Sequence, residues 1–66
     1  MRRKLDPKYI RGFLIDALVS AMPLKEATMY VDAILPSICI EQDSSAREWN
    51  DYDIKVAFAK VAMRNI

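Results

Sequence analysis

Apolar side chains recur every three or four positions along most of this chain. Ile10, Phe13, Leu14, Ala17, Leu18 and Ala21 therefore share one side of a helix, since such steps return to the same face at about 3.6 residues per turn. Lys8, Gly12, Asp16 and Ser20 form the opposite stripe, and Ile15 and Val19 widen the apolar side. Asp6-Pro7 supplies the start: Asp caps free backbone N–H groups, and Pro fits the first helical position. Pro23 disfavours helical geometry in the residue before it, so this helix is expected to end near Ala21 or Met22.

Pro23 opens a second helix, with Lys25 and Glu26 in its first turn. Leu24, Ala27, Thr28, Val31, Ile34 and Leu35 are its inner face, while Met29, Tyr30 and Ala33 lie off that face. Pro36 is expected to end it. So short a link between the two helices implies a tight helical hairpin. Ser37-Ile38-Cys39-Ile40 alternates like a strand, but a lone strand has no mate. An extended crossing or one loose helical turn is expected there, and Glu41 to Ser45 reads as a polar loop.

The third helix has two start signals. Ser45 with Glu48 makes a capping box, and Asn50 with Asp53 offers a rival, later start. Beyond them Trp49, Tyr52, Val56, Ala59, Met63 and Ile66 trace a seam in steps of three and four. Ile54, Phe58, Val61 and Ala62 form a second apolar row, with Ala57 between the two. The charges after Asp53 are only Lys55, Lys60 and Arg64. A helix that is apolar on most sides is normally buried on most sides. In so short a chain, a second copy is the simplest cover.

Composition sharpens this expectation. The chain has 66 residues, of which 53% are hydrophobic, and a net charge of +1. Small domains have a poor surface-to-volume ratio, so not all of this apolar surface can be hidden inside one copy. The surplus marks a binding surface. The fold expected for residues 1–66 is a small all-α domain of three helices, or four if the middle stretch forms its own turn. A helical hairpin is followed by a long C-terminal helix, and homodimerisation completes the core. Residues 1–5 are expected to be a loose, basic start. The lone Cys39, between two isoleucines, is expected to be a small buried hydrophobe, since one cysteine forms no internal disulfide. Asp6, Arg11 and Asp16 interrupt any signal-like core after Met1-Arg2-Arg3-Lys4, and no run reaches the ~18 apolar residues of a membrane span. A cytoplasmic protein is the expected reading.

Candidate chemistry is sparse. There is no His and one Cys, which argues against a conventional zinc site. Gly12 is the only glycine, so there is no phosphate-cradling loop. Glu41, Asp43, Glu48, Asp51 and Asp53 cluster in sequence, but without the spacing of a calcium loop, and they sit where helix starts favour negative charge. The serines Ser20, Ser44 and Ser45 have no evident activating base. No catalytic residue, cofactor, metal or small-molecule substrate is therefore expected, and no enzyme. Arg2, Arg3, Lys4, Lys8 and Arg11 could meet phosphates, although a committed nucleic-acid binder is usually far more basic. Tyr and Trp are frequent interface anchors. Tyr30, Trp49, Tyr52, Val56, Ala59 and Met63 are accordingly the expected protein interface, with Tyr9 a further exposed aromatic. The first helix, with its basic start, could lie on an anionic membrane, but packing against the other two is the favoured expectation.

Leu14-Ile15-Asp16-Ala17, Leu24-Lys25-Glu26-Ala27 and Val31-Asp32-Ala33-Ile34-Leu35 together resemble the N-terminal helix pair of the HU and integration-host-factor family. The resemblance covers about a third of the chain. It implies a self-associating helix pair at a dimer core. That family's DNA-gripping sheet and arms have no counterpart after Pro36, so no DNA-binding residue carries over. The functional expectation is a small regulatory or inhibitory protein of phage or bacterial type, acting as a homodimer on an unidentified protein. A dimeric nucleic-acid binder using the basic N-terminus is the first alternative, and a structural oligomeric assembly component the second.

Overall fold

The first helix, α1, spans Pro7–Leu18. Asp6 starts it as expected: its carboxylate Oδ1 accepts from the Lys8 N–H at 2.8 Å, and Pro7 occupies the first helical position. The computed structural model describes residues 4–64 of the chain. α1 stops earlier than Ala21. The Val19 N–H still reaches the Ile15 carbonyl, but Ala21 and Met22 both donate to Leu18, which closes a turn. Val19, Ser20 and Ala21 are exposed, so no burial holds another helical turn before Pro23.

The second helix, α2, runs Leu24–Ser44 and passes straight through Pro36. This corrects the expected stop at Pro36, and with it the strand-like or separate turn at Ser37–Ile40 and the loop from Glu41. Proline inside a helix removes one hydrogen bond and costs roughly 3 kcal/mol. Here the pyrrolidine is on the solvent side, while Ile34, Ile38 and Gln42 continue the buried face at steps of four. Full burial of one Ile contributes about 1.5–3 kcal/mol, and each added hydrogen bond about 1 kcal/mol. Ile38 and Gln42 together offset the cost of Pro36. Tertiary packing therefore decides a segment that local propensity would have broken.

The third helix, α3, spans Asp51–Arg64. Of its two start signals the later one operates. The Asp53 N–H donates to Asn50 Oδ1 at 3.1 Å, and the Asn50 N–H donates to Asp53 Oδ2 at 2.9 Å, a reciprocal capping box. Ser45 instead closes α2, donating its N–H to the Gln42 carbonyl at 3.1 Å. The described residues thus hold three helices and no strand.

One core joins the helices: Ile10 and Leu14 from α1, Val31, Ile34 and Ile38 from α2, and Ile54, Ala57 and Val61 from α3. Phe13, Leu35, Trp49 and Phe58 pack around it, half-buried. α1 and α2 form the expected hairpin, and α3 lies mainly on α2, touching α1 least.

Candidate protein-docking surface

The inward face of α3 is Asp53, Ile54, Ala57 and Val61, with Phe58 alongside. The seam expected from the sequence is a different face. Tyr52 and Met63 are exposed at 69% and 72%, Ala59 is exposed, and Val56 and Trp49 are half-buried. Of the expected interface residues, Tyr52, Val56, Ala59 and Met63 thus fall on the outer side of α3; Ile66, the last member of the expected seam, lies outside the described residues. Trp49 departs from this face: it packs against the core at the helix start. Tyr30 sits where α2 meets α3, with its ring edge-on to Phe58 at a centroid distance of 6.0 Å.

Lys55, Lys60 and Arg64 flank the outer face of α3, and all three are exposed. Arg64 reaches Glu41 at 3.3 Å. The acidic residues of the helix are engaged elsewhere. Asp53 is buried and accepts from Arg47 and from the Asn50 backbone, while Asp51 accepts from the Tyr9 hydroxyl at 2.6 Å. The face is thus apolar at its centre and cationic at its rim.

Between the end of α2 and α3 lies an open cleft of about 330 Å³, lined by Glu41, Arg47, Trp49, Val56 and Lys60 among others. Its acidic and basic groups largely satisfy one another: Asp53 pairs with Arg47, and Glu41 with Arg64. Among the described residues no buried side-chain polar atom lacks a partner, and no group of three or more His, Cys, Asp or Glu is placed to hold a metal. Cys39 is half-buried, and burial pushes its thiol pKa up, which disfavours the reactive thiolate.

The basic N-terminal group is divided. Lys4 pairs with Asp43 at 2.7 Å, and Arg11 grips both carboxylate oxygens of Asp32 at 2.6 and 3.3 Å. Lys8 is exposed, while Arg2 and Arg3 lie outside the described residues. Lys4 and Leu5, expected in a loose arm, are held against α2: the Leu5 backbone exchanges two hydrogen bonds with the Gln42 side chain.

A second apolar face was anticipated only in part, at Met29 and Ala33. Met29, Ala33, Pro36 and Ile40 are all exposed on the side of α2 opposite its core residues, Met29 at 64% and Ile40 at 63%. Taking Pro36 as a stop hid the rest. The signal was the continuation of Ile34 to Ile38 and Gln42 at four-residue steps, which fixes the same helical phase on both sides of the proline.

No known protein family, curated protein or solved structure matches the chain. Among the described residues no helix is long and apolar enough to cross a membrane.

Proposed function

We propose that this is a small, non-enzymatic regulatory or inhibitory protein that acts by docking onto another protein, and does so as a homodimer. The observation that carries the reading is the outer face of α3. Tyr52, Ala59 and Met63 remain exposed, with Val56 half-buried between them, although the opposite face of the same helix completes the core. Exposed aromatic and Met side chains with a charged rim are the composition of a docking patch. Lys55, Lys60 and Arg64 on that rim favour a partner whose apolar site is bordered by acidic residues.

The test is affinity capture from the native host with the wild-type chain and with Ala59→Glu. Glu is a good helix former, and Ala59 is exposed, so the variant keeps the fold. A protein retained by wild type and lost by the variant, at unchanged melting temperature, supports the reading. Identical capture by both chains overturns it. Steeply salt-dependent retention of duplex DNA, requiring Arg2, Arg3 and Lys8, would favour the nucleic-acid alternative instead. Lys4 and Arg11 are already matched to carboxylates, which lessens what they offer to phosphates.

A further inference from the structure

We infer that the homodimer forms through α2, by antiparallel pairing of its outer face with the same face of a second copy. The inference rests on the homodimer reading above and assigns its interface.

Three observations favour a second copy as the occupant. The first is shape. Met29 and Ile40 are the large side chains at the two ends of the stripe, and Ala33 and the compact Pro36 lie between them. Small central residues let two helix backbones approach closely, and the large ends then fill the gaps beside the contact.

The second is register. A two-fold axis on the outer side of α2, level with the Ile34–Leu35 midpoint, sets Met29 of one copy opposite Ile40 of the other, and Ala33 opposite Pro36. Both pairs are equally distant from that midpoint in sequence, so one register satisfies them together. Such self-complementarity is what a two-fold interface requires.

The third is charge. Lys25 and Asp43 are exposed on the same flank of this face, at nearly equal distances from the midpoint. A two-fold operation keeps each flank on its own side, so Lys25 of one copy meets Asp43 of the other, twice per dimer. Lys4 engages Asp43 through Oδ1, which leaves Oδ2 to accept from the second lysine. The outer face of α3 fails this criterion. Self-pairing there would set Lys55 against Lys55 on one flank and Lys60 against Lys60 on the other, and the carboxylate nearest Lys55, Asp51, already accepts from Tyr9; like charges across an interface oppose association. The two faces thus divide the work: α2 for self, α3 for the other protein.

Sedimentation equilibrium of the full chain, from low micromolar to millimolar concentration, tests this assignment. Ala33→Glu places two unpaired charges at the centre of the pair and should weaken self-association by about tenfold or more. Ala59→Glu should leave the dimer as it is. Lys25→Glu should weaken it by about fivefold, since two exposed ion pairs are lost together, and adding Asp43→Lys should restore it. Circular dichroism at low concentration checks that each variant keeps its helices. A dimer that survives Ala33→Glu, or a double charge swap that recovers nothing, overturns the α2 interface. A dimer broken by Ala59→Glu alone overturns it too, while leaving the homodimer reading intact. A wild type that stays monomeric at millimolar concentration removes both.

Discussion

The side-chain amide of Gln42 brackets the backbone of Leu5: the Leu5 N–H donates to Oε1 at 2.8 Å, and Nε2 donates to the Leu5 carbonyl at 3.2 Å. Gln42 is buried, so these are its replacement for water, and they tie the start of the chain to the last turns of α2. Gln42→Leu keeps the volume but leaves both Leu5 backbone groups unmatched. The expected loss is about 2 kcal/mol, read as a lower denaturant midpoint at unchanged slope. Amide exchange at Leu5 should accelerate while that at Ile54 follows only global stability. Unchanged protection at Leu5 would show that the bracket does not hold the segment.

Pro36 makes the opposite prediction. Its surroundings tolerate proline; they do not require it. Pro36→Ala restores a backbone donor to α2 on the solvent side, where nothing is displaced. Stability should rise by about 1 kcal/mol or more, the helical gain being partly offset by a freer unfolded chain. Thermal unfolding at low micromolar concentration, where self-association contributes least, is the measurement. A fall in melting temperature would mean that the proline's geometry is part of how α2 meets the core.

These two residues mark where the sequence could and could not be read. The core positions Ile10, Leu14, Val31 and Ile34 follow from spacing alone, whereas Ala17, Ala21 and Leu24, read onto the same faces, are exposed, Leu24 at 63%. Past Pro36, local rules and long-range contacts disagree. Propensity reads a stop, but Ile38 and Gln42 have partners on α3 and at Leu5 that only the assembled molecule supplies. The outer face of α3 was legible from its seam, although that seam also took in Trp49, which packs inward. The outer face of α2 was legible only in part, because half of it lies beyond the proline.

The start of α3 rests on a two-residue exchange. Asn50 and Asp53 cap each other's backbone, and Asp53 also receives Arg47. Asp53→Ala should cost about 1–2 kcal/mol and Asn50→Ala about 1 kcal/mol. The double variant should cost less than the sum, because either single change already opens the box. Arg47→Ala should cost about 1–3 kcal/mol: the Arg47 side chain is 71% exposed, but the Asp53 side chain is 3% exposed and its Oδ1 loses the Arg47 donor. Strict additivity in a double-mutant cycle would break the link between the two caps.

Two exposed tethers titrate at opposite ends of the pH scale. The hydrogen bond from Arg11 holds the Asp32 carboxyl below its ordinary pKa. A lowered acid pKa stabilises the fold above the ordinary value and loses that effect as pH falls through the lowered one. The gap in melting temperature between wild type and Asp32→Asn should therefore be flat near neutrality and close in acid. Tyr9 behaves inversely: its hydrogen bond to Asp51 raises the phenol pKa. Its contribution is present below the ordinary tyrosine value and fades as pH climbs through the raised one, so the gap to Tyr9→Phe should close in alkali. A gap that widens in either direction would contradict the sign.

Gly12 lies on the exposed stripe of α1, and a Cβ placed there would meet nothing within 4 Å. Its backbone is ordinary helix, with no positive φ to protect. A mid-helix glycine costs roughly 0.5–1 kcal/mol relative to alanine, through the wider conformational freedom that the unfolded chain retains. Gly12→Ala should therefore stabilise the fold by about that amount. The same stripe carries Lys8 and Asp16 and lies on neither apolar face, so dimer mass and partner capture should stay at wild-type levels. If the extra methyl group weakens either one, the stripe touches a partner and the division of surfaces between α2 and α3 is incomplete.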